Sequence, residues 1–172
     1  MSEARRELNA LEGIWTWTCP HLGIPHSVGV AAERLLDEII KAHGANFGSL
    51  RVWDNASRSL YLVAHRFDRP SAERFAVVKG GDGTACEAAV ESRAPVIVED
   101  IQKAETFASL RAWTRGIGIR AIQTMPVFGR SENFIGAFST HYATPRSFTR
   151  KDNEMNSVYA NRFSHLFADL RC

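Results

Sequence analysis

The residues best suited to hold a small molecule alternate along two segments of the chain. Ser49, Arg51 and Trp53 follow one another at intervals of two, and Ser139 and His141 do the same much later. Side chains of a β-strand point alternately to its two faces, so each set would share one face of its strand. Two such strands in one sheet would bring hydroxyl, guanidinium, indole and imidazole groups together, which is the pattern of a binding pocket.

Cys86 is the candidate nucleophile. It follows Thr84, where a helix is expected to begin, and the N-terminal end of a helix favours a reactive thiol. A small cysteine among alanines is more commonly a packing residue, and we favour that interpretation. The three cysteines, which include Cys19 and Cys172, are odd in number and far apart, which predicts reduced thiols rather than a disulfide framework.

The sequence offers no comparable case for a metal or a haem. It has no CxxC pair, and a lone strand histidine such as His141 is more often hydrogen-bonded in a core or pocket than a haem ligand. Trp15, Trp17, Cys19 and His21 have the two-residue spacing of a short strand or extended segment. We interpret this group as aromatic residues that cover an edge of the core or contact a partner.

The element that must position Cys86 lies in the stretch from Gly80 to Asp100, which reads GGDGTACEAAVESRAPVIVED. Its glycines predict a sharp turn, Thr84 offers a hydroxyl cap to a short helix, and Pro95 prevents that helix from continuing. Residues 96–98 are then typical of a buried strand.

The remaining segments predict two hairpins between long helices. Helices are expected at 27–43, 106–115 and after Thr149, strands at 47–53, 60–67, 75–78, 120–128 and 134–142, and one or two amphipathic turns within 1–14. Tight hairpins join antiparallel neighbours, and no repeated βαβ unit is present. The fold class is therefore α+β with an antiparallel sheet, organised as an N-terminal arm at 1–26 and one domain at 27–172.

The composition is that of one ordinary soluble domain. A chain of 172 residues can bury a substantial core, and a formal net charge of +2 is too small to indicate nucleic acid or a membrane as a partner. No apolar run approaches the length of a membrane helix, and the N-terminus lacks the apolar centre of a signal peptide. These features predict a cytoplasmic location.

Several ordered motifs together resemble a GAF domain over roughly residues 27–170. They are G-x-G-x-x-C-x-x-A at 81–89, R-x-P-V-x-V-x-D-I at 93–101, GIRA at 118–121 leading to MPV at 125–127, FIGAFSTH at 134–141 and PRSFT at 145–149. The resemblance implies a five- or six-stranded sheet with the first and last helices on one face. Short helices and loops would close a ligand pocket on the other face, as in small-molecule sensors of signalling proteins such as two-component systems.

The resemblance also adds residues to the predicted site. Similarity to nucleotide-binding members places these residues near a ligand: Ser49, Phe67, Asp68, Asp100, Thr124 and Ser139. With Arg51, Trp53, Cys86, Trp113 and His141 they make up the predicted ligand site. The Asn-Lys-Phe-Asp-Glu set of cyclic-nucleotide GAF domains cannot be traced in this sequence, which argues against a cyclic nucleotide.

This sequence lacks the reactive residues of two chemically active branches of the family. Free methionine sulfoxide reductases need further cysteines after Asp100, and residues 102–113 contain none. Phytochrome-like members attach a bilin through a cysteine, often beside a histidine, in the helix before the last hairpin, and residues 106–115 contain neither. We therefore expect no enzymatic activity, no haem and no bilin.

The expected function is a non-catalytic sensory or regulatory domain for an unidentified small molecule, with a possible signalling output domain or partner. The alternatives are a small redox enzyme of the free methionine sulfoxide reductase type and a dimerising module without a ligand. A homodimer through the terminal helices is expected because the last helix carries an unusually wide apolar stripe, made of Met155, Val158, Tyr159, Phe163, Leu166, Phe167 and Leu170. The N-terminal arm could instead cover this stripe within a monomer.

Overall fold

A computed structural model of the protein describes residues 13–168. In this range the helices are α1 (Trp15–Thr18), α2 (His26–His43), α3 (Arg69–Arg74), α4 (Ala85–Ser92), α5 (Arg111–Gly116) and α6 (Arg150–Leu166), with 3-10 helices at Pro20–Leu22 and Glu105–Leu110. The strands are β1 (Phe47–Asp54), β2 (Ser59–His65), β3 (Val77–Val78), β4 (Val96–Val98), β5 (Ala121–Phe128) and β6 (Phe134–Tyr142).

The strands form one antiparallel sheet in the order β3-β2-β1-β6-β5-β4. The two hairpins, β1–β2 and β5–β6, lie side by side because β1 pairs with β6, where Ser49 faces Ser139 and Arg51 faces Ala137. This pairing joins the two alternating segments of the sequence in the middle of the sheet. The predicted α+β fold is thereby confirmed.

Helices α2 and α6 cover one face of the sheet. Their shared core includes Leu36 and Ile39 of α2, Phe138 of β6, and Phe163 and Phe167 at the C-terminal end of α6. Burying one such side chain stabilises the fold by about 1.5–3 kcal/mol. The start of α6 is fixed by a capping box between Thr149 and Asp152, as the hydroxyl of Thr149 predicted.

The opposite face is covered by a lid, which we define as α4, the 3-10 helix Glu105–Leu110 and α5. The lid has its own apolar cluster, in which Leu110 and Ala85 pack near Ile122 of β5. The glycine turn before α4 is tied to that helix by Glu87, whose carboxylate accepts hydrogen bonds from the backbone N–H groups of Gly81 and Gly83, the latter at 2.6 Å.

A β-bulge lies between β1 and β2. Leu50 faces Ala64, but the next residue, Arg51, faces Leu62, so Val63 is the extra residue of β2. Val63 and Ala64 both pack in the core under α2 and α6, whereas Leu62 belongs to a separate cluster. The bulge therefore lets β2 change its buried face halfway along its length.

The two-residue spacing around Trp15 was wrong as an indicator of a strand, because residues 15–18 form a helix. Trp15 belongs to the same core as α2, and a Cβ at Gly29 would overlap its indole, so the contact requires glycine there. The hydroxyl of Thr18 donates to the carbonyl of Leu62 at 2.7 Å. Packing of the tryptophan against α2 thus decides the local structure.

Two other predicted segments differ from the structure. The expected helix at 106–115 is a 3-10 helix followed directly by α5. Within the 3-10 helix, Phe107 leaves helical geometry with φ −112° and ψ 26° and lies buried in the lid cluster. The short helix α3 was not predicted, and it begins where Asp68 accepts a hydrogen bond from the backbone N–H of Ser71 at 3.0 Å. Most of the predicted amphipathic turns at 1–14, together with Leu170 and Cys172, lie outside the described residues.

None of the helices in residues 13–168 has the length and the apolar character needed to cross a bilayer.

Replacing Gly136 in β6 by alanine should destabilise the protein strongly. The new Cβ would overlap the backbone carbonyl of Arg51 and lie 2.9 Å from the Phe163 ring, and neither the strand nor the packed ring has room to move. We expect a loss of at least about 2 kcal/mol in the free energy of unfolding, measured by urea denaturation. Gly116→Ala is the matched control, because a Cβ there meets nothing within 4 Å, and it should be neutral or slightly stabilising.

Candidate ligand-binding site

A cavity of about 50 Å³ lies between the central strands and the lid. This is room for about three or four water molecules, far less than the roughly 300 Å³ or more of a pocket for a drug-sized ligand. Its polar lining comes from Ser49, Arg51, Thr84, Cys86, Thr124, Ser139 and His141, and its apolar lining from Phe67, Phe75, Val78, Ala85, Leu110, Trp113 and Ile122.

The cavity floor contains a chain of side-chain hydrogen bonds. The hydroxyls of Thr124 and Ser139, which face each other across β5 and β6, are 2.8 Å apart. The Cys86 thiol at the start of α4 lies 3.4 Å from the same Ser139 hydroxyl. The chain links the lid to the sheet, and each hydroxyl can act as donor or acceptor toward a neighbour.

Arg51 brings a cation into this enclosed space. The residue is only 4% exposed, and its Nη1 donates to the carbonyl of Phe75 at 2.6 Å. Its Nε has no hydrogen-bond partner among the residues that the structure describes. Burial lowers the pKa of Arg51, and the nearby Cys86 thiol partly opposes this shift.

His141 lies beside Arg51 and is neutral near pH 7. Burial and the charge of Arg51 lower the pKa of His141 to about 3, although a backbone hydrogen bond with Phe47 opposes the shift. Its Nδ1 has no partner within residues 13–168, and its ring meets that of Phe67 edge-on with centroids 5.0 Å apart. The histidine therefore supplies a neutral polar atom rather than a second positive charge.

Three aromatic residues form the wall opposite the sheet. The ring centroids of Phe75 and Trp113 are 4.5 Å apart, and Phe67 meets Trp113 edge-on at 6.5 Å. The indole N–H of Trp113 donates to the hydroxyl of Ser71 at 3.3 Å, which connects α5 to α3. Trp113 is thus held in place from outside the cavity.

The structure brings eight of the eleven predicted site residues to the cavity, and the three others lie elsewhere. Trp53 lines a neighbouring groove, with its indole N–H donating to Asn55 and its ring edge-on to Phe134. Asp68 caps α3. Asp100 pairs with Arg120, which lowers its pKa, and it also accepts from the backbone N–H of Gln102 at 3.2 Å.

Six cavity residues were absent from the predicted site. Phe75 is the most informative of them, because its carbonyl holds Arg51 and its ring packs on Trp113. Thr84 did give a signal in the sequence, because its hydroxyl predicts the cap of α4. Phe75 gave no such signal, since its role depends on the helix α3 that precedes it.

No group of three or more metal-ligating side chains occurs within residues 13–168. Cys19 belongs to the core under α2 and α6, whereas Cys86 lies on the lid side of the sheet. What the cavity provides is one buried cation, several hydroxyls, a thiol and a neutral imidazole.

In the variant His141→Gln, the free energy of unfolding should fall less steeply as the pH is lowered. The pKa of His141 is about 3 in the folded protein and about 6.5 when unfolded, so between these values the unfolded chain binds more protons. The free energy of unfolding therefore falls as the pH drops through this window, by up to about 1.4 kcal/mol per pH unit for this group.

Urea denaturation of both proteins from pH 7 to pH 4 measures this slope, which should be shallower for His141→Gln. The matched control is His26→Gln, at an exposed position at the start of α2, which should retain the wild-type slope. Equal slopes for wild type and His141→Gln would contradict the prediction.

Solved structures with the same fold come from several kinds of protein. A domain ascribed to a two-component sensor histidine kinase protein of Sinorhizobium meliloti 1021 is 26% identical, with a TM-score of 0.66 over 82% of this chain and 91% of that one. The GAF domain of an Acinetobacter phosphoenolpyruvate-protein phosphotransferase is 14% identical, with a TM-score of 0.69 over 98% and 95% of the two chains. A type II free methionine-R-sulfoxide reductase from Thermoplasma acidophilum is 16% identical, with a TM-score of 0.66 over 83% and 96%.

Among curated protein sequences none matches the chain significantly. The family model described as GAF domain matches residues 28–165, which is most of the chain. The chain therefore belongs to the GAF domain family.

Proposed function

We propose that this GAF domain is a non-catalytic sensor that binds a small molecule in the cavity between the sheet and the lid. GAF domains are commonly sensory or regulatory ligand-binding modules. The observation that carries the proposal is that Arg51 and His141 both have partnerless nitrogen atoms, within the described part of the chain, and both line one cavity. Buried polar atoms are normally hydrogen-bonded, so a bound molecule would satisfy them.

The strands that line the cavity also offer a route for a signal. Arg51 of β1 and Ser139 of β6 line the cavity. The residues directly before them, Leu50 and Phe138, lie on the opposite face of the sheet and pack under α2 and α6. A ligand that shifts either strand would therefore also shift the side chains that pack against the terminal helices. A signalling output domain or partner connected to those helices is part of this proposal, and the similar Sinorhizobium domain belongs to a sensor histidine kinase protein.

A sulfoxide reductase is the second candidate, because Cys86 lines the cavity and the Thermoplasma reductase shares the fold. Against it, Gln102–Trp113 contains no cysteine, and Cys19 packs in the core under α2 and α6. Reduction of free methionine sulfoxide by the purified protein with a dithiol, abolished in Cys86→Ser, would establish this activity. Unchanged substrate would remove the candidate.

Native mass spectrometry of freshly purified protein, combined with a visible absorption spectrum, tests the sensor proposal directly. A retained small molecule supports it, and a Soret or bilin band would replace it with a chromophore function. Thermal-shift screening with short-chain carboxylic acids, amides and alcohols extends the test to weak ligands. No retained mass and no shift with any compound would leave a dimerising module without a ligand as the better proposal.

Trp113→Ala should weaken the binding of any compound that shifts the wild-type melting temperature. The substitution removes the cavity wall that Phe75 and Phe67 pack against. Trp53→Ala is the matched control, since Trp53 is also a half-buried tryptophan but lies in the neighbouring groove. Calorimetric titration of both variants should show the loss only in Trp113→Ala, and equal affinities would remove Trp113 from the site.

A homodimer through the terminal helices remains a proposal, and the structure changes how to test it. Phe163 and Phe167 are 0% and 2% exposed against the sheet, so substitutions there would test folding rather than association. Val158, which is 58% exposed, is the appropriate residue on α6.

Val158→Glu should lower the dimer affinity in sedimentation equilibrium, because a charge would be buried in an apolar contact. Val158→Ile keeps the surface apolar and should leave association unchanged. A wild-type mass equal to one chain would refute the dimer.

A further inference from the structure

The cavity contains a buried cation whose titratable partner is the Cys86 thiol rather than a carboxylate. Arg51 is 4% exposed, and no carboxylate of residues 13–168 lies within ion-pair distance of its guanidinium. Arg66, Arg120 and Arg146, in contrast, each pair with a carboxylate. An arginine side chain does not lose its proton in proteins. A buried charge is costly unless an opposite charge and hydrogen bonds compensate it, so this cavity is suited to an anion.

The free donor of Arg51 defines how an anion would bind. Nη1 is already used by the carbonyl of Phe75, and Nε is the donor left without a partner in the described structure. A carboxylate is a planar acceptor whose two oxygens match two neighbouring N–H groups of a guanidinium. The Nε side of Arg51 is therefore the edge of the guanidinium that has an unused hydrogen-bond donor.

The charge and size of the cavity narrow the class of anion. Arg51 is the cation of the lining, and His141 beside it is neutral, so a dianion such as sulfate would carry an uncompensated negative charge. Phe75, Leu110 and Ile122 supply apolar walls next to Arg51. A volume of about 50 Å³ admits only a few heavy atoms.

We propose that the cavity binds a small monocarboxylate, with its carboxylate on Arg51 and its short alkyl tail against Phe75 and Leu110. This inference rests on the proposed function, because it names the ligand class of the same sensory site. The neutral ring of His141 adds no positive charge beside Arg51, so the guanidinium is the group that attracts the ligand.

Propionate and propionamide, which have nearly the same shape and differ in charge, provide the first test on the wild-type protein. Calorimetric titration at constant ionic strength should show propionate binding at least about tenfold more tightly than propionamide, which corresponds to about 1.4 kcal/mol. Sodium sulfate should bind more weakly than propionate. Equal binding of the acid and the amide, or tighter binding of sulfate, would overturn the proposal.

Arg51→Met and its control Arg34→Met provide the second test. Arg34 is an exposed arginine of α2, so Arg34→Met should bind propionate as the wild type does. Arg51→Met should lose at least about tenfold in propionate affinity, because its charge-assisted hydrogen bonds are gone. It should also melt no lower than the wild type in the absence of propionate, since an uncompensated buried charge has been removed.

The outcomes separate this inference from the function on which it rests. Propionamide binding that Arg51→Met leaves unchanged would keep the ligand-binding function and reject the anion site. Binding of neither compound, with no other ligand retained by the purified protein, would reject both. If Arg51→Met fails to fold, the comparison of propionate with propionamide on the wild-type protein decides the matter alone.

Discussion

The pairing of β1 with β6 is the constraint on which both layers of this protein depend. It places two alternating strands side by side, so that Ser49, Arg51, Ser139 and His141 line the cavity, whereas Leu50, Val52 and Phe138 pack in the core of α2 and α6. Gly136 sits within this pairing, where the carbonyl of Arg51 and the ring of Phe163 leave no room for a side chain. The cavity and the helical layer are therefore two sides of one rigid element.

The charge of Arg51 is the main electrostatic feature of the cavity. The guanidinium donates to the backbone carbonyl of Phe75 and interacts with the Cys86 thiol, and hydroxyls and a neutral imidazole lie around it. These groups solvate a cation only in part, because none of them carries a permanent negative charge. An apolar residue of similar volume at this position would remove the cost of burying the charge.

The sequence was a good guide to this sheet, and the reasons are local. Alternation identified the faces of β1 and β6, and the Thr149 hydroxyl identified the start of α6, because both depend on neighbouring residues. Asp68 and Asp100 were less predictable. Each is an acid at a turn, and a turn acid bonds equally well to nearby backbone N–H groups, as both of these do.

Other features depend on contacts between distant segments, so the pattern of neighbouring residues in the sequence does not predict them. Trp53 follows Arg51 on the same strand, but two residues along a strand amount to about 6.6 Å, which moves its ring beyond the edge of a small cavity. The bulge at Val63 and the kink at Phe107 likewise arise from packing against other elements. The partnerless Nε of Arg51 is also a property of the assembled cavity and of no single segment.

The way in which Glu87 holds the glycine turn has a consequence for kinetics. One carboxylate ties the exposed amides of Gly81 and Gly83 to α4, directly before Thr84 and Cys86 enter the cavity lining. A glycine-rich turn held by hydrogen bonds near solvent opens at a much lower free-energy cost than a central strand pair. We therefore expect the turn to open more often than the β1–β6 pair, so that the proposed ligand would exchange through local opening beside Thr84 and Cys86 rather than through separation of the strands.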